Sequence, residues 1–371
     1  MRLIYLFAFL FCFSVSVFAQ ASSDKLIRKG VSLHERGKYN EAIQYYEEAL
    51  KINPSSMSAV YELSLSYLYL KDYDNALKYS TKVINSNFQP LLVDAYCVKS
   101  TALAELGRVD QAITMLSDAL VKCGDEYLLY YNLGYSYFKQ KQYSQAINNL
   151  SRAIEIDPTH ADAFLLYSYS LSDADRWVQS YLSFQFFLLL EPNTERSKDA
   201  FQEMYDLINQ SLEKDSPKLG MEEGIDRSKL YNYLQKIKPK DDTPAEKYKF
   251  FEQASKSIFF TLSQIQSDSQ SGLMWDFFVP IYSEILESGY FDTYCRYVSA
   301  SYFPESLDWW TVNSSQVDRF ITWFEDGQGY ENEESDFGND EIGDDDEAVE
   351  EDDNGVNANK PEADKTVKEK K

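Results

Sequence analysis

Few side chains in this sequence are of the types that perform chemistry, and their spacing assembles none of the familiar constellations. Of the 371 residues only two are histidines, His34 and His160, with no HExxH and no paired spacing that would hold zinc. Past residue 19 the cysteines Cys97, Cys123 and Cys295 are scattered, odd in number and without a CxxC, which predicts buried free thiols rather than a disulfide framework. There is no phosphate loop, no GxGxxG and no GxSxG. The nearest approach, Gly30-Val31-Ser32-Leu33-His34, lies inside a helical pattern, whereas a nucleophile elbow needs a preceding strand. Carboxylates number 60, so a close pair arises by chance. No catalytic, cofactor-binding or metal-ligating residue is assigned, and the chain reads as a non-enzyme. An enzyme would have to be housed in residues 225–325.

Charge narrows the partners. Lys and Arg total 36 against 60 Asp and Glu, a net −24, which repels a phosphate backbone and argues against nucleic acid. Residues 325–371 hold 19 of the acids and 5 of the bases. Runs such as Asp344–Glu347 and Glu350–Asp353, nearly free of apolar residues, predict a disordered acidic tail over 326–371. It has no calcium loop with its turn Gly and terminal Glu.

At the other end, Arg2, the apolar run Leu3–Phe13 and the small Ala19 form a secretory signal peptide over 1–19, cut before Gln20. Retention as an anchor is the alternative. Phe11 before Cys12 is too bulky for an acylation motif. The chain is therefore expected to be exported, to the periplasm, the cell envelope or the medium. No later apolar stretch is long enough to span a membrane; Phe184–Leu190 has seven residues.

The elements that must position any functional residue repeat. Ala42, Ala76, Ala112, Ala146 and Ser180 are spaced by 34, 36, 34 and 34 residues, followed seven positions later by Ala49, Val83, Ala119, Ala153 and Phe187. Pro54, Pro158 and Pro192 close three units, and Leu63 with Tyr67 matches Leu133-Gly134 with Tyr137. Small residues recur because helices approach closely only where a small side chain sits at the crossing. Gly37 and Gly107 stand where a first helix must stop, and Asn40, Asp74, Asp110 and Ser144 are expected to cap the second.

Residues 23–194 resemble the tetratricopeptide repeat. That resemblance implies an all-α fold: a right-handed superhelical solenoid of about five helical hairpins. Phe201, Met204, Tyr205, Ile208 and Leu212, at helical spacing, predict a capping helix that completes the solenoid over 23–213. A polar stretch from Lys214 to Gly224 marks the boundary, and 225–325 reads as a small aromatic-rich helical domain. There Thr243-Pro244-Ala245-Glu246 predicts a capping box, and a helix from about Leu273 to Ser288 with a kink at Pro280 precedes two shorter ones.

The resemblance also implies a concave wall built from positions 2, 5, 9, 12 and 13 of each repeat. In the second unit these include Tyr61 and Tyr69; in the third, Asp94, Cys97 and Glu105; in the fourth, Tyr131, Tyr135, Phe138 and Lys139; in the fifth, Tyr169. The Lys, Arg and Asn set with which cochaperone members clamp a terminal carboxylate is missing. The expected function is an exported scaffold or adaptor that holds a protein or peptide partner, with Tyr61, Tyr69, Tyr131, Tyr135, Phe138 and Tyr169 as contacts. Some of these rings can instead be core. A structural subunit of a cell-envelope complex, docking through 225–325, is the alternative.

Overall fold

The computed structural model describes residues 20–213, 221–222 and 224–327. The expected signal peptide and, past Gly327, the expected acidic tail lie outside the described residues. The chain divides into two compact units, residues 1–175 and 176–371.

The first unit is a row of antiparallel helices. α1 covers residues 20–35, followed by α2 (Tyr39–Ile52), α3 (Met57–Tyr69), α4 (Tyr73–Ser86), α5 (Leu92–Glu105), α6 (Val109–Cys123), α7 (Tyr127–Lys139), α8 (Tyr143–Ile156) and α9 (Ala161–Asp173). The repeated alanines behave as expected: Ala42, Ala76, Ala112 and Ala146 are fully buried, as are Ala49, Val83, Ala119 and Ala153. Close approach depends equally on position 8 of the repeat, in its first helix. A Cβ added at Gly30 would lie 2.3 Å from the Tyr46 ring, and one at Gly134 would lie 2.5 Å from Leu150. Each glycine is the space that a large residue of the second helix occupies.

The turn inside each hairpin has one geometry. The amide of Lys38 donates to the Leu33 carbonyl at 2.9 Å, and Asp72 to Tyr67, Arg108 to Leu103 and Gln142 to Tyr137 repeat it at 2.8–2.9 Å. This closure needs a left-handed residue after the first helix. Gly37 and Gly107 supply it at φ 72°, but Lys71, Lys141 and Asp175 adopt it too, at 60–64°. The second helices start two residues earlier than the capping pattern predicts. Asp72, not Asp74, caps α4 by accepting from the Asn75 amide at 3.2 Å. Asn40, Asp74, Asp110 and Ser144 instead sit in the first turn, where Asp74 and Asp110 favour the helix dipole.

The second unit contains α10 (Trp177–Leu190), α11 (Glu195–Glu213), a two-residue ladder of Met221–Glu222 against Ile225–Asp226, α12 (Arg227–Ile237), α13 (Pro244–Ile265), a π-turn at Met274–Phe278, α14 (Val279–Glu287), α15 (Phe291–Val298), α16 (Pro304–Val312) and α17 (Ser314–Gly327). The antiparallel ladder pairs Met221 with Asp226 and Glu222 with Ile225. Three helices, not two, follow α14, and the last runs past the expected start of the tail.

Packing moves the boundary expected at 214–224 to the turn between α9 and α10. By repeat register α10 is the second helix of the fifth hairpin, yet it buries every residue from Trp177 to Leu189. Its polar groups are matched inside the second unit. The Tyr181 hydroxyl meets Ser255 Oγ of α13 at 2.8 Å, Gln185 Nε2 donates to the same oxygen at 3.0 Å, and Tyr294 of α15 donates to Gln185 Oε1. The Tyr282 hydroxyl donates to the Leu182 carbonyl at 2.7 Å. Phe186 meets Phe277 at 4.9 Å, and Phe201 of the predicted capping helix α11 meets Phe251 at the same distance. The crowded Phe and Tyr residues of α10 and α11 thus complete an aromatic core.

Glu222 closes the start of α10. Its carboxylate accepts from the amides of Val178 and Gln179 at 3.4 and 3.0 Å and lies 3.6 Å from the Arg227 guanidinium, with both side chains nearly buried. Thr243 caps α13 as expected, accepting from the Glu246 amide at 3.4 Å. Only half of the box forms, because Glu246 turns to the Lys240 amide at 3.3 Å. The kink expected at Pro280 takes the form of the π-turn, with the Val279 amide bonded to the Met274 carbonyl.

Candidate protein-binding surface

The first helices of the repeats carry the chemistry-bearing groups of the first unit. Of the six rings expected to contact a partner, three are core: Tyr61, Tyr131 and Phe138 are 6%, 4% and 8% exposed. Little of these rings is left for a partner to cover. Tyr131 stacks on Tyr127 at 6.1 Å, and Phe138 packs against Tyr143 at 5.8 Å. Tyr69, Tyr135 and Tyr169 remain half-exposed. Tyr135 and Tyr169 occupy the same position, the ninth, of consecutive repeats.

Each end of the wall has a defined local structure. Tyr69 stacks on Tyr39 at 5.1 Å, and His34 sits edge-on to both rings at 4.9 and 5.0 Å. His34 Nδ1 lies 2.8 Å from Ser66 Oγ, and burial lowers its pKa to about 4, so the ring is neutral at neutral pH. Farther along, Glu105 accepts a 2.5 Å hydrogen bond from the Tyr135 hydroxyl and a 3.2 Å ion pair from Lys139. The Lys139 ammonium also lies 5.7 Å from the Tyr135 ring centroid. This arrangement fixes the ring's tip while the residue stays partly exposed.

Position lists missed one group, Glu62. It is the single charged residue in Met57–Tyr69, and that isolation was the available signal. Half-buried, it accepts from Tyr46 at 3.4 Å, and its pKa rises to about 7, mainly through burial, with the carboxylates of Glu35 and Asp94 adding to the rise. Asp94 is raised by burial and by Glu126. Cys97, Cys123 and Cys295 are free thiols. Among the described residues no group of His, Cys, Asp and Glu is arranged to hold a metal, and no helix is long and apolar enough to cross a membrane.

Helical hairpins in one register, with small residues at the crossings and polar and aromatic groups on the first helices, define a protein-interaction scaffold. The tetratricopeptide-repeat profile matches residues 23–56 and 127–160, and a second profile of the same repeat matches 58–90. Residues 23–56, 58–90 and 127–160 are thus tetratricopeptide repeats, and the chain is a repeat scaffold for protein interactions.

Among proteins with known roles, the chain is 28% identical over 143 residues to the BBSome complex member BBS4 of Bos taurus. This region is 38% of the chain and 27% of that relative's length. Among solved structures, a thermophilic tetratricopeptide-repeat protein of Thermus thermophilus aligns with TM-score 0.45 and 21% identity over 51% of this chain and all of that one. Pseudomonas aeruginosa pilF aligns with TM-score 0.44 and 18% identity over 63% of this chain and 99% of its own.

Proposed function

We propose that the chain is an exported scaffold whose first-helix wall holds a protein or peptide partner against Tyr69, Tyr135 and Tyr169. The observation that carries this reading is the half-exposure of Tyr135 and Tyr169 at one repeat position, beside neighbours of the same helices that are fully buried. A tyrosine held this way offers a large contact area at low entropic cost and keeps a polar tip. Export rests on the apolar leader and on Ala19; the intact mass of material recovered from the native host should correspond to a chain beginning at Gln20.

The test of the wall is a tagged full chain recovered from its own host. A partner retained by the wild type should be lost from the Tyr135→Ala, Tyr169→Ala double variant, because truncating a contact ring costs about 2 kcal/mol of binding. A partner retained by that variant would reject the wall. The exposure of Val312 (84%) and Phe260 (58%) in the second unit favours one other reading, docking of an envelope complex through that unit. Under it, Val312→Ser and Phe260→Ser would release the partner instead.

A further inference from the structure

Positive charge in the second unit is gathered on two helices. Residues 227–260 hold 8 Lys and Arg against 4 Asp and Glu, whereas residues 261–327 hold 2 against 10. Arg227 is nearly buried against Glu222, but the lysines stand outward in a pattern that both helices share. On α12, Lys229, Tyr233 and Lys236 fall on one face at helical spacing, with Tyr233 41% exposed. On α13, Lys249, Lys256 and Phe260 do the same, with Phe260 58% exposed. Among the described residues the one ion pair made by these four lysines is Lys249 with Glu246, at 4.0 Å. The Lys256 ammonium lies over the Phe291 ring instead, 5.8 Å from its centroid.

A face of lysines and exposed rings is complementary to an anionic segment that also brings apolar groups. The chain supplies one. Residues 328–353 hold 14 Asp and Glu and no Lys or Arg, with Tyr330, Phe337 and Ile342 set among the acids. This sequence follows directly on α17, which lies close to α13: Phe320 is 6.3 Å from Tyr294, and Tyr294 is 6.0 Å from Phe259. A linker of about 16 residues reaches roughly 20–25 Å and holds its far end at about millimolar effective concentration, which brings the acids of 331–343 to α13. We infer that residues 330–353 dock back on α12 and α13, with carboxylates on Lys229, Lys236, Lys249 and Lys256 and with Tyr330 and Phe337 against the exposed rings. Any other polyanion must displace this tethered segment to bind there. The contact lies within the second unit and does not depend on what the wall holds.

Carbodiimide coupling, which joins a carboxylate to an amine in direct contact, tests the docking on the full chain. Cross-links from residues 331–353 should fall on Lys229, Lys236, Lys249 and Lys256. Mixing labelled and unlabelled chains should show them to form within one molecule. They should drop at least roughly five-fold at about 1 M salt, where the Debye length is about 3 Å. A second readout is the acetylation rate of each lysine in the wild type and in a full-chain Glu333→Gln, Glu334→Gln, Asp336→Asn, Asp340→Asn, Glu341→Gln variant. Lys236, Lys249 and Lys256 should react roughly two- to five-fold faster in the variant, because an ion-paired ammonium gives up its proton less readily. Lys78, exposed in the first unit and 4.9 Å from the Tyr79 ring centroid, should keep its rate. Unchanged circular dichroism of the variant guards against a folding defect.

Cross-links spread over the lysines of both units would overturn the docking, and so would lysine rates that ignore the neutralised acids. Equal acceleration of Lys78 would do the same, by tracing the effect to the general field of the acids. Cross-links found only between molecules would give these faces to a second copy. Rates slowed by added heparin but indifferent to the neutralised acids would give them to an outside polyanion; either result contradicts docking within one chain.

Discussion

The two units solve the same problem, packing helices, with opposite materials. In the first, contacts are made by Ala, Gly and Ser at fixed positions, and the second helix α8 buries one stripe: Ala146, Ile147, Leu150, Ala153 and Ile154. In the second, α10 stands at the same repeat register, but its stripe has spread over the whole helix, and Phe and Tyr rings around Phe186, Phe201 and Tyr294 fill the core. Small residues fix helix spacing and leave the first helices free to vary. Rings bring large buried area, but each hydroxyl and amide among them must then find a partner.

That contrast predicts unequal responses to mutation. In the ring core, Phe186→Ala should cost about 3–5 kcal/mol, measured by denaturant unfolding, because truncating a fully buried ring leaves a cavity. Removing Glu222 should come next: Glu222→Ala strips two amides at the start of α10 and takes a carboxylate away from the nearly buried Arg227, at about 3 kcal/mol. Little loss in either would show that this core is loosely packed.

In the small-residue core the damaging change is enlargement. Gly30→Ala should destabilise by about 1–3 kcal/mol even though Ala is the better helix former, because the Tyr46 ring stands where the methyl would go. Pairing it with Tyr46→Leu should recover part of the loss, and no recovery would refute the fit between the two positions.

Glu62 and His34 give the first unit a pH dependence. Glu62 is raised from 4.5 to about 7, so the folded chain holds its proton more tightly than the unfolded one. Its contribution is complete below pH 4.5 and is lost as pH rises through 7. His34 works in the opposite direction: lowered from 6.5 to about 4, it contributes above 6.5 and loses that contribution as pH falls through 4. Relative to wild type, Glu62→Gln should therefore gain about 1–2 kcal/mol between pH 5 and pH 7.5, read from melting curves at both values.

The smallest effect belongs to the turns. Lys141 holds a left-handed conformation that glycine takes in two sister turns, so Lys141→Gly should stabilise by about 0.5–1 kcal/mol. Any loss would mean that the Lys141 side chain makes an offsetting contact.

The same contrast explains what could be read from the residues alone. The first unit was legible because its contacts recur: one Ala position, found four times in register, places both helices of each hairpin. Its caps were misplaced by two residues, since Tyr39 and Tyr73 look like residues outside a helix but are its first turn. In the second unit the aromatic residues are evident, but nothing in their order says which ring meets which. The polar stretch after α11 therefore looked like a boundary, although α10 and α11 already belong to the ring core. In the wall, helical spacing put Tyr131, Tyr135 and Phe138 on one face; burial then separated Tyr135 from its two neighbours, which spacing cannot do.

The central claim is that a partner lies against the half-exposed rings of the first helices. A photoreactive benzoyl-phenylalanine at position 135 or 169 of the full chain, irradiated in the native host, tests it most directly. Position 121, where Val121 is 90% exposed on a second helix, serves as the control. The account predicts one discrete cross-linked adduct from 135 and 169 and none from 121. An adduct from 121, or from Val312 in the second unit, with none from 135 and 169, would contradict it.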